Sequence, residues 1–171
     1  MNVKFTYFDA PIDDIRVPSD STLEEYLTGL RNKSVKQFIE TSIGTLEEGL
    51  ISKFDIEKEE IVEVKLPNNF HPNAIHELTY TPVFKSKQVS YYPINKNDFM
   101  VYIGRWLPSD FIAIAGDNDP RDFFIECCED SQLWDETTEK QKLENVWNYD
   151  SWVYMFKCKH TNKLSCYWDC E

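Results

Sequence analysis

The chain closes on FKCKHTNKLSCYWDCE, residues 156–171, which holds three of its five cysteines and one of its three histidines. Thiolate and imidazole are the side chains that zinc prefers. Cys158 and His160 stand two apart, a spacing that puts both on one face of a strand. Cys166 and Cys170 come from the partner strand and its end, so a tight turn could bring all four together. Structural zinc sites usually draw on paired knuckles, such as CxxC with a second CxxC or HxxxH, and the chain has neither. Cys127 and Cys128 are neighbours on an expected helix, their side chains about 100° apart, which suits small buried residues better than ligands of one ion. His71 and His76 flank a loop at no zinc-helix spacing and are expected in solvent.

Other chemistry leaves no mark. Five glycines include no GxGxxG or GxxxxGK[ST] cradle for phosphate, and no GxSxG elbow is present. With 30 acids, carboxylate pairs arise by chance and specify no acid–base site. The residues therefore nominate no catalytic set and no cofactor.

Charge is the strongest global feature. The net charge of −12 over 171 residues argues against binding to a phosphate backbone or an anionic membrane surface, both of which call for clustered Lys and Arg. Between residues 108 and 150 twelve acids face only Arg121, Lys140 and Lys142. They are Asp110, Asp117, Asp119, Asp122, Glu126, Glu129, Asp130, Asp135, Glu136, Glu139, Glu144 and Asp150. Such a run reads either as a solvated face or as a docking surface for a basic partner, because one-signed fields steer association.

The elements that must position these groups follow from periodicity. Hydrophobic residues at 42% and aromatics at 15% are ample for a packed core. VKFTYF, 3–8, reads as a strand before a turn at Asp9 to Pro11. Ser19 or Asp20 is expected to cap a helix carrying Leu23, Tyr26, Leu27 and Leu30 on one face. Val35, Phe38, Ile39, Ile43, Leu46 and Leu50 suggest further helix over 34–53, divided by Gly44 and Gly49. The segment 56–66 begins helix-like and ends in strand-like alternation. PNNFHPNAIH, 67–76, is loop material and the expected boundary between lobes. FMVYIGRW, 99–106, and DFIAIAG, 110–116, read as strands joined by a turn at Leu107 to Ser109. Asp119 before Pro120 signals a helix start, another helix is expected near 137–147, and WVYMFKCKH with LSCYWDC forms a closing pair of strands. The expectation is an α+β fold in a single domain over 1–171. It has a helix-rich N-terminal lobe (1–66) packed on a mostly antiparallel, β-rich lobe (77–171). No apolar run reaches membrane-spanning length and no secretory leader is visible, so a reducing cytoplasmic setting is expected.

The closing stretch and three others together resemble the CbrC-like family, small bacterial proteins named for a colicin-tolerance phenotype. Members open with F-x-Y-x-x-D/x-P, carry a central TPGF…Q…WP…DF…FIG and end in FxCLHCGxxxxxxDC. FTYFDAP is similar to the opening. TPVFKSKQVSYYPINKNDFMVYIG, 81–104, is similar to the middle through Thr81, Pro82, Phe84, Gln88, Pro93, Asp98, Phe99, Ile103 and Gly104. FKCKHTNKLSCYWDC is similar to the end, and SKFDIE, 52–57, to a KFD segment. The likeness is close over about a third of the chain and loose over most of the rest. Two departures stand out. The N-terminal CxxC pairs of the family are missing, since no cysteine precedes Cys127, and Thr161 stands where a second closing cysteine belongs. The resemblance thus implies a scaffold retained without its metal.

Proteins of this kind occur among the CdiI-type immunity proteins of contact-dependent growth inhibition, so the resemblance implies a partner: the RNase C-terminal domain of a CdiA-type toxin, EndoU-like or RNase A-like. Such a nuclease needs a basic cleft, which an acidic surface with aromatic anchors can fill. The expected docking residues are Asp110, Asp117, Asp119, Asp122, Glu126, Glu129, Asp130, Asp135 and Glu136, with Trp134 as anchor. Phe111, Phe123, Phe124 and Trp147 are interleaved with them, and at least one of Phe123 and Phe124 belongs to the core. The alternative is a CbrC-like zinc-binding structural or regulatory protein without a toxin partner, with residual binding at Cys158, His160, Cys166 and Cys170. An enzyme using paired carboxylates has no motif in its favour.

Overall fold

The computed structural model describes residues 1–128 and 151–170, and the fold is α+β. The contacts divide the chain into two compact units, one made of residues 1–85 with 90–101 and the other of 86–89 with 102 onward. The expected boundary at 67–76 lies inside the first unit.

In the first unit β1 (Asn2–Phe5) and β2 (Phe8–Pro11) form an antiparallel hairpin. The turn sits at Thr6–Tyr7, earlier than the expected Asp9–Pro11, because Tyr7 and Phe8 are drawn into the core and Ala10 follows them. The Tyr7 hydroxyl donates to the buried carboxylate of Asp98 at 2.6 Å. Helix α1 (Leu23–Arg31) starts at Thr22, not at Ser19 or Asp20. Thr22 accepts from the Glu25 N–H while the Glu25 carboxylate accepts from the Thr22 N–H, a reciprocal capping box that neither earlier residue can form. Tyr26, Leu27 and Leu30 are buried as the spacing predicts.

The helix expected over 34–53 is absent. In its place are β3 (Ile39–Thr41), β4 (Gly44–Glu47) and β5 (Leu50–Asp55), followed by β6 (Glu60–Glu63). The helix-rich N-terminal lobe is therefore a strand-rich segment with one longer helix. Ile39, Leu46 and Ile51 lie side by side in the ladder and share the buried face, a packing that a helix could not give them. Glu48 and Gly49, at φ +50° and +81°, make the two-residue turn that matches strand twist. Gly49 thus serves a hairpin and does not break a helix. The sheet order is β6-β5-β4-β3-β7, with β7 (Tyr91–Tyr92) parallel to β3 and the other pairs antiparallel. Short α2 (Ala74–Thr79) and the ladder of β8 (Ile94–Asn95) with β9 (Asp98–Phe99) complete the unit.

The second unit holds β10 (Val101–Trp106), α3 (Pro108–Ala115), α4 (Pro120–Cys127), β11 (Trp152–Lys157) and β12 (Leu164–Asp169). The strands neighbour one another in the order β10-β11-β12. The closing hairpin is as expected, with Met155 opposite Cys166 and Tyr154 opposite Tyr167. The strand expected over 110–116 is helix α3 instead. Pro108 sits in its first turn, and the Asp110 carboxylate accepts the Leu107 N–H at 2.7 Å, a start signal that outweighs the β-branched run behind it. Phe111 and Ala115, one turn apart, face inward.

One apolar cluster joins these elements: Phe111, Phe124, Cys127, Cys128, Val153, Met155 and Cys166. Phe111 meets Phe124 edge-on at 5.2 Å between ring centroids. On the other side of the hairpin Tyr154 packs on Tyr167, and Phe156 stacks on Tyr167. There the buried Asp169 accepts from the Tyr154 hydroxyl at 2.5 Å and from the amides of Gln88 and Val89. The Gln88 side chain donates to the carbonyl of Cys170.

Candidate functional site

Pro120 at the first position of α4, preceded by Asp119, fixes where that helix begins. The Asp119 carboxylate accepts the Arg121 N–H at 2.9 Å and caps the helix as the sequence predicts. Phe124 and Cys127 point into the core, which turns Asp122 and Glu126, one turn apart, outward. Earlier in the chain, Asp110 lies at the start of α3 and Asp117 just past its end. Asp110, Asp117, Asp119, Asp122 and Glu126 are all exposed. Glu129, Asp130, Trp134, Asp135 and Glu136, together with Trp147 and the helix expected near 137–147, lie outside the described residues.

The five placed acids differ in local use. Asp110 and Asp119 accept backbone N–H groups at helix starts, and Asp122 lies in the first turn of α4, where the positive end of the helix dipole favours a carboxylate. Asp117 and Glu126 lie at the opposite ends, where the dipole is negative and a cation would be preferred. Neither α3 nor α4 has a basic residue in its last turn. Asp117, Asp122 and Glu126 form no hydrogen bond or ion pair among the described residues. Two of the five acids therefore stand where helix stability disfavours them.

On α3 and at its cap, Leu107, Ile112 and Ile114 remain about half exposed, while Phe111 and Ala115 take the core-facing positions. Phe124 is fully buried and Phe123 is partly so, which fixes Phe124 as the core member of the pair. The aliphatic neighbours Leu107, Ile112 and Ile114 were not singled out from sequence. The apolar surplus of DFIAIAG that read as a buried strand is the signal that would have found them.

The cysteine and histidine residues do not gather. Strand β11 stops at Lys157, so Cys158 and His160 do not alternate along it as expected. The Cys158 N–H donates to the Lys163 carbonyl at 2.8 Å, and the Asn162 N–H to the Cys158 carbonyl at 3.0 Å, which closes the turn and buries the thiol. His160 is exposed in that turn, Cys166 belongs to the apolar cluster, and Cys170 is half-buried. Among the described residues no three His, Cys, Asp or Glu side chains come together in a metal-holding arrangement. The thiols that do share surroundings are Cys127, Cys128 and Cys166, all inside the cluster, and Cys128 bridges to Cys166 through the backbone. Burial, with the Glu126 carboxylate next, pushes the Cys127 thiol up to about 11, so it stays protonated at neutral pH.

His76 lies on α2 and not in a loop. It is exposed, with its Nε2 2.9 Å from Lys33 Nζ, whereas His71 is half-buried. A groove of about 850 Å3 runs beside His76, walled by Gln37, Phe38, Ile75 and Tyr80. No family model, curated protein or solved structure matches the chain.

Proposed function

We propose that this chain is a CdiI-type immunity protein. It binds the basic RNase C-terminal domain of a CdiA-type toxin, EndoU-like or RNase A-like, in the cytoplasm and covers the nuclease cleft with the acidic surface of α3 and α4. Its action is binding, with no catalytic step of its own. The observation that carries this reading is the placement of Asp117 and Glu126. Both are exposed, without a partner among the described residues, at helix ends that would favour the opposite charge. A surface that only needed to be soluble could place acids at helix starts, as Asp110, Asp119 and Asp122 do.

The neighbouring Leu107, Ile112 and Ile114 support the same reading, because docking needs apolar contact as well as charge. Charge gives rapid encounter with a basic cleft, and the aliphatic side chains exclude water once the complex forms. The resemblance of residues 81–104 and 156–170 to CbrC-like proteins points toward the same class of partner.

The test is calorimetric titration with the toxin domain encoded beside this chain. Tight equimolar binding that abolishes RNase activity, and a tenfold or greater loss on combining Asp117→Lys with Glu126→Lys, is the expected result. Unchanged affinity in that variant would remove the α3–α4 surface from the interface.

A further inference from the structure

The first unit has a second exposed surface of different character. In the sheet β6-β5-β4-β3-β7 the face carrying Ile39, Leu46 and Ile51 is buried. On the opposite face the register sets Phe54 directly across from Ile61. Phe54 is 61% exposed and Ile61 73%, and Ile56 in the connecting loop reaches 81%. Isolated apolar residues on a surface need no explanation, but a cross-strand pair with an exposed neighbour in the adjoining loop makes a platform.

That platform adjoins an open edge. Strand β6 ends the sheet order, and no strand of the described residues pairs with its outer side. The Val64 N–H donates to the Ile51 carbonyl at 2.7 Å, which fixes the alternation of the ladder. Val64, Val62 and Glu60 turn their backbone groups toward β5, so the N–H and C=O of Ile61 and Glu63 point to the open side. Edges of this kind are templates for another strand, and proteins normally blunt them.

Charge selects what can pair there. Residues 47–63 hold seven acids against Lys53 and Lys58, and Glu60 and Glu63 stand at the two ends of β6. A second copy of β6 would bring Glu60, Glu63 and the neighbouring acids against an equally acidic edge, which like charge disfavours. The net charge of −12 adds to that repulsion. A strand with Lys or Arg at its ends meets neither penalty.

We propose that β6 is an acceptor edge at which an extended, lysine- or arginine-flanked segment of another protein adds as a further strand. Ile61 and Glu63 supply the backbone hydrogen bonds, Phe54, Ile56 and Ile61 the apolar platform, and Glu60 and Glu63 the selection for basic ends. The two glutamates favour a basic strand and disfavour an equally acidic one. This site is independent of the α3–α4 surface and stands whether or not a nuclease binds there.

The experiment is amide hydrogen exchange followed by NMR on the full chain. It is recorded with a blocked synthetic peptide of alternating valine and threonine between lysine pairs, and with its glutamate-flanked counterpart. The lysine peptide is expected to bind saturably and to slow exchange of the Ile61 and Glu63 amides by ~10-fold or more, leaving Glu60 and Val62 little changed. The combined Glu60→Lys and Glu63→Lys variant is expected to lose the lysine peptide and accept the glutamate one. Both residues are exposed, so the fold is not at stake. Three results would overturn the proposal: no slowing at Ile61 and Glu63 at millimolar peptide, protection centred elsewhere, or protection that rises with protein concentration alone. The last would assign the edge to a second copy.

Discussion

Asp169 and Glu126 belong to the same unit and count equally in the net charge, yet they stand at opposite extremes. Asp169 is buried and takes the Tyr154 hydroxyl and two backbone amides, from Gln88 and Val89. Glu126 is exposed on the last turn of α4 and takes nothing among the described residues. Asp98, locked by Tyr7 in the first unit, repeats the first arrangement. The difference teaches that an acidic composition mixes acids that hold the fold with exposed acids that have no task in it. Hydrogen-bond accounting separates them where charge counting cannot.

The comparison breaks most sharply at Asp169. Asp169→Leu strands the Tyr154 hydroxyl and two amides together, and is expected to cost about 3 kcal/mol in urea unfolding. Tyr154→Phe leaves the carboxylate its two amide donors but also strands the Lys87 N–H, which donates to the hydroxyl at 2.9 Å, and is expected to cost about 1.5 kcal/mol. A smaller loss for Asp169→Leu than for Tyr154→Phe would contradict the central place of the carboxylate in this network.

Alkaline pH tests the same buried pairs from the other partner. Burial first, then the Asp98 and Asp169 carboxylates, raise the Tyr7 and Tyr154 hydroxyls far above the usual tyrosine range, and burial raises Tyr26 as well. Cys127 is pushed to about 11. Because the folded values are raised, the unfolded chain releases these protons first. Their stabilisation is complete below about pH 9 and declines as pH climbs through 9 to 11 and beyond. Urea midpoints are expected to fall between pH 8 and pH 10.5, with a shallower fall in Tyr154→Phe. A midpoint independent of pH over that range would contradict the burial of these hydroxyls.

The smallest effects sharpen the contrast within the acidic surface. Asp119→Ala removes the α4 cap and is expected to lower stability by about 1 kcal/mol. Glu126→Lys places a cation at the negative end of the same helix and is expected to raise stability by about 0.5 kcal/mol. Thermal unfolding of the two variants should therefore move in opposite directions from one helix.

Much of the second unit was legible from residues alone. The Asp119–Pro120 start of α4, the closing hairpin of β11 and β12, and the exposed acids followed from local rules. The failures share one cause: an apolar pattern that fits two periods. Val35, Phe38, Ile39, Ile43, Leu46 and Leu50 satisfy a helical spacing, but Ile39, Leu46 and Ile51 meet only through hairpin register, which is non-local. The positive φ of Glu48 and Gly49 shows what the glycine was for. DFIAIAG carries strand-like residues, but Pro108 and Asp110 in front of it start a helix. Among the acids, the exposure of the five described ones was readable. Which acids cap and which stand free was not, because capping depends on where a helix begins to within one residue.

The central claim is that acids without a structural task form a docking surface for a basic nuclease. Its most direct test is the affinity of the adjoining toxin domain for Asp117→Lys/Glu126→Lys, measured at low and high salt beside the unaltered chain. The account predicts a variant that folds at least as stably, binds at least tenfold more weakly, and loses most of the salt dependence. Equal affinity and an equal salt slope in the two proteins would contradict it.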